Sequence, residues 1–450
     1  MEKKPKTIFI DCTATFNAGH NTGIQRVVRQ IIHNSTTLSR TSGIPCIPIV
    51  FAFGQVWSID TLPISNPDDL SQISDRFAKR FKLQMISAFK SIESLLPEGK
   101  LKYIFKKIAG KILGAARSLW LTTILFISFL SLMFKTSHRV TISNEDMIIA
   151  VDAFWTFDIV KYLEKYKKRG VFIVMLIYDL IPVTHPDFID DLDNNMSFTS
   201  NLKRMLLLSD GFIAISKSVK DEVIDYINDN TIFTDKRITA DYFYLGADIK
   251  DTKSTNGQME KLRIWPKELW TDDVYLMVGT IEPRKGHTFV LDAFEKMWSQ
   301  GSNDKLFIVG RIGWKCTELM ERIKKSPFIG DKLFMFHDIN DSELIYCYEH
   351  ATALIFASYV EGFGLPLVEA MGKGLPVISS DIQVFKEIGK DYPVYFSHNS
   401  IDTLIEALSK VTEKSSDKRG WITWDESVNT LLNKALDMYA RSAKGLDNSV

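Results

Sequence analysis

The second half of the chain contains the sequence SYVEGFGLPLVEAMGKG at Ser358–Gly374. Two carboxylates, Glu361 and Glu369, flank a glycine-rich turn that also contains Pro366. Glycines let the backbone approach a ligand closely, and proline is favoured in the first turn of a helix. We therefore predict a loop and a helix start that present both carboxylates to one ligand, since carboxylates accept hydrogen bonds from sugar and ribose hydroxyls. The alternative is that both are ordinary charges of a solvated helix.

A second motif, VGTIEPRKGH at Val278–His287, follows an apolar run. Its loop contains Gly279 and Thr280, and then Arg284 and Lys285. Arginine supplies a planar fork of donors and lysine a point charge, which together suit a diphosphate that gains charge as a leaving group. The alternative is a solvated basic loop.

Around these motifs, short apolar runs alternate with segments of helical periodicity. Helices are predicted at Ile24–Ile32 and Thr288–Trp298. The predicted strands are Thr7–Cys12, Met147–Val151, Val171–Tyr178, Gly211–Ile215, Val274–Val278, Leu306–Val309, Leu333–Phe336, Ala353–Phe356 and Val377–Ser379. This alternation predicts an α/β fold with parallel sheets covered by helices on both faces. A polar stretch, Asp251–Lys261, is the predicted linker between two domains.

Composition excludes several classes of protein. At 450 residues the chain exceeds what one hydrophobic core serves, so two domains are expected. The 55 basic and 55 acidic residues cancel, which argues against a nucleic-acid partner. The N-terminal sequence lacks the features of a secretory signal. The cysteines show no metal-ligand spacing, which argues against zinc and disulfides and for a reducing compartment; they are Cys12, Cys46, Cys316 and Cys347.

One segment, Leu101–Lys135, departs from the α/β pattern. Its basic start is followed by Ser118–Phe134, an uncharged stretch shorter than the roughly 20 apolar residues of a spanning helix. A single crossing would also place the two halves on opposite sides of a membrane. We therefore predict an insert at about 101–135 that attaches to the membrane surface. A buried or oligomer-forming helix and a true span remain alternatives.

The first half offers weaker candidates. Gly23 closes a polar loop before the first helix and would allow a ligand close approach. Asp179 and His185 follow a predicted strand, at the edge where a parallel sheet presents side chains to a crevice. Contact with the acceptor or the donor sugar is predicted for both, and more weakly for Ser216. The alternatives are a turn cap for Asp179, a plain loop position for His185 and a helix cap for Ser216.

These motifs resemble those of the retaining glycosyltransferases in the glycosyl transferases group 1 family, of the family 4 type. The pair Glu361 and Glu369 matches its E-x7-E signature, and the sequence EPRKGH resembles its donor-phosphate motif. Further matches are Phe363–Pro366, Gly374–Val377 and Trp424–Ser427. In the first half, Thr22–Arg26 and Tyr178–Pro182 resemble a bacterial subgroup that builds O-antigens and other surface polysaccharides, often as mannosyl- or rhamnosyltransferases.

The resemblance implies a GT-B fold, in which two Rossmann-like domains face each other across a cleft and a C-terminal helix crosses back. The domains would be 1–255 on the acceptor side, 256–426 for the nucleotide sugar, and a helix at 427–450. Arg284 and Lys285 would hold the donor diphosphate, with Asp179 as a further catalytic residue. Glu361 would bind the transferred sugar and Glu369 the ribose. Other donor contacts would come from Gly23, Gly279, Thr280, Gly362, Phe363, Gly364 and Leu365.

The expected activity is metal-independent, retaining transfer of a hexose to a lipid-linked oligosaccharide, in O-antigen or surface-polysaccharide synthesis. GDP-mannose is the expected donor, no cofactor is expected, and the protein would lie on the cytoplasmic face of the cell membrane. In retaining members the departing phosphate helps to deprotonate the acceptor, so no dedicated nucleophile is required.

Other functions remain open or are disfavoured. A UDP- or dTDP-sugar transferase, a phosphorylase and an inactive membrane-bound scaffold remain alternatives. The letters of a metal-binding DxD motif occur at Asp191–Asp193, but their acidic surroundings favour a solvated helix start. Only Gly19 and Gly23 follow the first strand, which argues against the GxGxxG of a dehydrogenase.

Overall fold

The computed structural model describes residues 4–18, 23–52, 54–60, 62, 137–155, 159–189, 192–233, 238–249, 267–270, 273–337, 339–411 and 420–444. The predicted membrane insert at Leu101–Lys135, the predicted linker at Asp251–Lys261 and Asp191 of the DxD letters lie outside these residues. Within the described ranges, every helix is too short or too polar to cross a bilayer.

A first sheet occupies the N-terminal half. In the described part of the chain its strands are β1 (Ile8–Asp11), β2 (Cys46–Ala52), β3 (Gln55–Ile59), β4 (Ser137–Arg139), β5 (Met147–Ala150), β6 (Phe172–Ile177), β7 (Gly211–Ala214) and β8 (Thr239–Tyr242). Their order is β4-β3-β2-β1-β5-β6-β7-β8, with β3 antiparallel to both of its neighbours and the other pairs parallel. The inner strands β1, β5, β6 and β7 are buried along their whole length, which accounts for their continuous apolar sequences.

A second sheet, entirely parallel, occupies the C-terminal half. Its described strands are β9 (Val274–Val278), β10 (Lys305–Val309), β11 (Leu333–Phe336), β12 (Ala353–Phe356), β13 (Val377–Ser380) and β14 (Val394–Phe396). The order is β11-β10-β9-β12-β13-β14. The prediction of an α/β fold with parallel sheets is confirmed.

Helices connect the strands and cover both sheets. The described α-helices of the first half are α1 (Thr13–Ala18), α2 (Gly23–Ser42), α3 (Ile159–Lys167), α4 (Ile181–Thr184), α5 (Leu192–Leu208) and α6 (Lys217–Asn228). Those of the second half are α7 (His287–Ser299), α8 (Thr317–Lys325), α9 (Asp341–His350), α10 (Leu365–Lys373), α11 (Gln383–Gly389), α12 (Ile401–Val411) and α13 (Trp424–Ala443).

In each sheet, the order in which the chain forms the strands reverses at one pair of adjacent strands. Chain order runs outward in both directions from β1 and β5 in the first sheet, and from β9 and β12 in the second. In open parallel sheets, ligands bind beyond the carboxyl ends of strands at such a switch point. The two motif loops follow β9 and β12, so the fold places both of them at the switch point of the second sheet.

The last helix, α13, returns from the second half to the first sheet. Ser427 Oγ donates to the carbonyl of Tyr244 at 2.6 Å, and Lys434 Nζ lies 2.6 Å from Asp241 Oδ1. Gly211 in β7 makes room for this packing, because a Cβ atom there would lie 2.8 Å from Met438 Sδ. This is the helix crossing that the GT-B resemblance implied.

The two halves touch beside the motif loop that follows β12. Ser216 Oγ, at the start of α6, donates to the carbonyl of Gly362 at 2.8 Å. Gly362 also lies against the end of β6, where any Cβ atom would collide with the carbonyl oxygen of Tyr178. At a second contact, Trp314 Nε1 donates to the carbonyl of Phe188 at 2.7 Å. These contacts close the cleft between the domains.

A buried pair of carboxyl groups, Asp11 and Asp152, lies at the ends of β1 and β5. Asp152 accepts hydrogen bonds from the backbone amide of Thr15 at 2.6 Å and from that of Ala153 at 2.8 Å, which favour its charged form. Asp11 Oδ1 accepts from Thr13, but its Oδ2 has no hydrogen-bond partner among the described residues. Burial and the charge of Asp152 raise the pKa of Asp11 to about 7. Burial also raises the pKa of Asp152, and its hydrogen bonds with Thr15 and Ala153 counteract that rise.

The close approach at Gly362 predicts that the Gly362→Ala variant cannot adopt the closed arrangement. The added methyl group has no space beside Tyr178, whereas each sheet can still form. We expect an unchanged far-UV circular dichroism spectrum and a larger radius of gyration by small-angle X-ray scattering. The matched control is Gly372→Ala, because a Cβ atom at Gly372 would have nothing within 4 Å. An unchanged radius in Gly362→Ala would contradict the packing described.

The carboxyl pair predicts a pH dependence of stability. The pKa of Asp11 is raised from about 3.9 in an unfolded chain to about 7, so its stabilisation is complete below pH 4 and is lost as the pH rises through 7. We expect Asp11→Asn to reduce the fall in thermal midpoint between pH 5 and pH 8. Asp331→Asn, on an exposed turn, serves as control. Equal slopes for wild type and Asp11→Asn would refute the assignment.

Candidate active site

A cavity of about 890 Å³ lies between the two domains, at the carboxyl ends of their strands. This volume is in the range that holds a drug-sized or cofactor-sized ligand. All of the predicted catalytic and donor-binding residues line it: Gly23, Asp179, Gly279, Thr280, Arg284, Lys285, Glu361, Gly362, Phe363, Gly364, Leu365 and Glu369. The fold thus brings together residues that lie up to some 350 positions apart in the chain.

Helix α10 begins at this cavity. Its N-cap, Gly364, has a φ of 106°, a conformation that glycine adopts without strain, and Pro366 occupies the first turn. The first amides of a helix have no partner within it and carry partial positive charge. The loop that connects β12 to α10 therefore presents an anion-binding helix start to the cavity.

Glu361 in the same loop is held by three neighbours. Arg284 Nη1 lies 2.9 Å from Glu361 Oε2, Lys285 Nζ forms an ion pair with Oε1, and Ser358 Oγ donates to Oε1 at 2.8 Å. All of these groups are largely shielded from solvent, so the charges interact strongly. The two cations that the sequence assigned to a diphosphate are neutralised here by a carboxylate of the protein.

Burial and neighbouring charges shift the pKa values of Glu361 and Lys285 in opposite directions. Burial alone would raise the pKa of Glu361, but Arg284 and Lys285 outweigh it and lower the pKa to about 2. Burial lowers the pKa of Lys285, and the charge of Glu361 offsets part of that effect. Glu361 is therefore ionised at neutral pH, and it keeps its two cations paired.

Glu282 holds Arg284 from the other side. Its Oε1 lies 2.6 Å from Arg284 Nη2, and its side chain is 2% exposed. Arg284 Nη1 also donates to the carbonyl of Val360 at 3.2 Å. The guanidinium is thus fixed in one orientation by groups on both motif loops, and its pKa lies above its ordinary value because the attraction of Glu361 and Glu282 outweighs burial.

Glu369, one turn into α10, pairs with a residue of the other domain. Arg26 Nη1, at the start of α2, lies 2.7 Å from Glu369 Oε1. Tyr348 Oη donates to Glu369 Oε2 at 2.8 Å. Burial raises the pKa of Glu369, and Arg26 and Tyr348 counteract that rise. Glu369, which was predicted to bind ribose, therefore lies where the two domains contact each other.

Asp179 lies on the opposite wall. Its Oδ1 accepts from the backbone amide of Ile181 at 3.1 Å, so it caps the turn that the alternative interpretation described. It also lines the cavity, close enough to Arg284 for that cation to counteract the rise in pKa caused by burial. Both interpretations of Asp179 are therefore compatible with its position.

The two weaker candidates have other surroundings. Ser216 accepts from the amide of Val219 at 3.1 Å, as the N-cap of α6, and donates to Gly362. His185 is exposed, stacks on Phe188 with ring centroids 6.2 Å apart, and hydrogen bonds to Thr184. Neither residue belongs to the described lining of the cavity. Their contact with an acceptor stays a prediction.

Several lining residues were not singled out from the sequence. They are Arg26, Arg311, His337, Asn340 and Asp341. Arg26 lies one helical turn after Gly23, and that spacing was the available signal. Arg311 and His337 follow β10 and β11 in loops without a distinctive pattern. Asn340 and Asp341 begin α9, and the available signal there was the capping box that Asn340 forms with Glu343. No cluster of three metal-ligating side chains occurs among the described residues.

Comparisons with known proteins agree with this geometry. A model of the family described as glycosyl transferases group 1 matches residues 262–423, which include both motif loops. The chain is 35% identical over 323 residues to the serotype-specific mannosyltransferase WbdA of Escherichia coli, covering 69% of this chain and 39% of WbdA. It is 29% identical over 143 residues to the O-antigen chain mannosyltransferase RfbU of Salmonella typhimurium, covering 32% of this chain and 39% of RfbU. The chain spans well under half the length of WbdA.

Among solved structures, the sucrose-phosphate synthase of Thermosynechococcus elongatus superposes with a TM-score of 0.53 at 15% identity, over 98% of both chains. At this identity the likeness concerns the fold, which in that protein is GT-B. Residues 262–423 therefore form a glycosyl transferases group 1 domain, and the architecture of the chain is that of the GT-B fold.

Proposed function

We propose that the protein transfers a hexose from a nucleoside diphosphate sugar to a glycan acceptor, with retention of configuration and without a metal ion. The observation that carries this proposal is the set of buried charges around Glu361 at the start of α10. Two cations and a helix N-terminus form a site for a diphosphate, and they lie beside a carboxylate that can bind sugar hydroxyls.

The chemistry follows from where charge develops. Breaking the bond between the sugar C1 and the diphosphate oxygen leaves an oxocarbenium-like sugar and a diphosphate anion. Arg284, Lys285 and the amides before Leu365 stabilise the anion more as its charge grows, which lowers the barrier. The acceptor hydroxyl attacks on the same face, and its proton passes to the departing phosphate. Closure of the cleft keeps water from the donor.

Mannose is the proposed sugar and GDP-mannose the proposed donor. This rests on the names of the relatives, which are mannosyltransferases, and on the resemblance of the first half to surface-polysaccharide enzymes. A lipid-linked oligosaccharide is the proposed acceptor. UDP and dTDP sugars are the competing donors, since the diphosphate site described here does not depend on the base.

The proposed function predicts that the protein binds one nucleotide sugar as its donor. We expect GDP-mannose to raise the thermal midpoint of the full chain equally with and without magnesium, because a ligand that binds only the folded state stabilises it. We also expect Arg284→Ala to reduce mannosyl transfer by at least about 100-fold, the usual order of effect for a lost contact to transition-state charge.

The control is Arg322→Ala, an arginine of α8 paired with Asp292 and Glu295 on the outer surface. Its transfer rate should equal that of the wild type. A midpoint that no nucleotide sugar raises would favour an inactive scaffold, and near-normal transfer by Arg284→Ala would refute the site assignment.

Membrane attachment through Ser118–Phe134 is proposed from the sequence alone, because the segment lies outside the described residues. We expect the double variant Leu121→Lys, Phe129→Lys to stop sedimenting with anionic lipid vesicles, since each lysine opposes burial of the apolar stretch. A double variant at exposed helix positions, Ser299→Lys in α7 with Ser409→Lys in α12, provides a control for added charge. Unchanged sedimentation of the first variant would contradict attachment through this segment.

A further inference from the structure

A carboxylate of the second domain lies against the start of a helix in the first. Oε1 of Glu387, in α11, accepts a hydrogen bond from the backbone amide of Lys217 at 2.7 Å. Its Oε2 accepts the amide of Ser218 at 2.7 Å and the hydroxyl of Ser218 at 2.5 Å. These three bonds join the two domains, because Lys217 and Ser218 are the first residues of α6.

The amides that Glu387 binds are those that a helix leaves without a partner. Helix α6 already has an N-cap, Ser216, which accepts from Val219. Glu387 satisfies two further amides and places a negative charge at the positive end of the helix. The contact is therefore a second cap, supplied by the other domain, and it can exist only when the cleft is closed.

The capped helix start also holds the motif loop. Ser216 Oγ donates to the carbonyl of Gly362, and Gly362 is wedged against Tyr178. Glu361, the preceding residue, pairs with both cations of the diphosphate site. The position of α6 thus bears directly on the position of Glu361.

We propose that Glu387 is a positioning residue for sugar transfer. By capping α6 across the domain boundary it fixes Ser216, and through Ser216 it fixes Gly362 and Glu361 in the geometry in which the donor reacts. The inference rests on the proposed function for its consequence in catalysis, whereas the cap itself is independent of which sugar is transferred.

The contacts from Glu387 through Ser216 to Glu361 predict that loss of Glu387 lowers kcat and leaves the affinity for the nucleotide unchanged. The proposed nucleotide contacts, Arg284, Lys285 and Glu369, lie in the second domain and do not touch Glu387. In the Glu387→Ala variant of the full chain we expect kcat for mannosyl transfer to fall by about 10-fold or more, with the Kd for GDP within about 2-fold of wild type. Glu387→Gln, which keeps an acceptor oxygen but loses the charge, should fall between wild type and Glu387→Ala.

A double-variant cycle tests the route through Ser216. If Glu387 acts through Ser216, Ser216→Ala should show the same pattern, and the variant with both changes should have a kcat close to that of Glu387→Ala alone. Independent, multiplicative losses in kcat would overturn the route. A kcat for Glu387→Ala equal to that of the wild type, or a Kd for GDP that rises in step with the loss of kcat, would overturn the proposal. The control is Glu406→Gln, an exposed glutamate of α12 paired with Lys410 in its own helix.

Hydrogen exchange separates this proposal from the function on which it rests. The amides of Lys217 and Ser218 should exchange faster in Glu387→Ala than in the wild type and in Glu406→Gln, whether or not any sugar is transferred. Faster exchange with no transfer by the wild type on any donor would support the cap and refute the function. Unchanged exchange would refute the cap.

Discussion

The buried ion pairs between Glu361 and its two cations, Arg284 and Lys285, constrain the rest of the site. Such charges are stable away from water only when they are mutually neutralised and hydrogen bonded. Ser358 and Glu282 supply the remaining partners, so both motif loops are tied to one electrostatic centre. The loops must therefore stay at the ends of β9 and β12, and the start of α10 must face the same space.

The first domain packs against the second beside this group of charges and closes one side of the cleft. The ends of β6 and β7 hold Gly362, while Arg26 reaches across the cleft to Glu369. Helix α13 returns to the first sheet, where Ser427 donates to the carbonyl of Tyr244. A donor that binds here would be enclosed by two domains, and its diphosphate would compete with Glu361 for the same two cations.

The elements that could be predicted from the sequence are those whose local residue pattern matches their surroundings in the folded protein. Buried parallel strands such as β5, β6 and β9 have continuous apolar sequences, and the Gly-Pro frame around Glu361 predicted the start of α10. Strand β2 was missed because Pro48 interrupts its pattern, and proline is depleted in inner strands. Arg26 and Glu387 were missed for another reason: their partners, Glu369 and the start of α6, are more than 160 positions away in the chain, and only the folded molecule brings them together.

We infer that a nucleoside diphosphate binds the two cations that pair with Glu361, Arg284 and Lys285. Calorimetric titration of GDP into the wild type and into Glu361→Gln, alongside their transfer rates, tests it most directly. We expect Glu361→Gln to bind GDP at least as tightly as the wild type, because Arg284 and Lys285 are released, while sugar transfer falls by about 100-fold or more. Weaker binding of GDP in Glu361→Gln, or transfer at the wild-type rate, would contradict it.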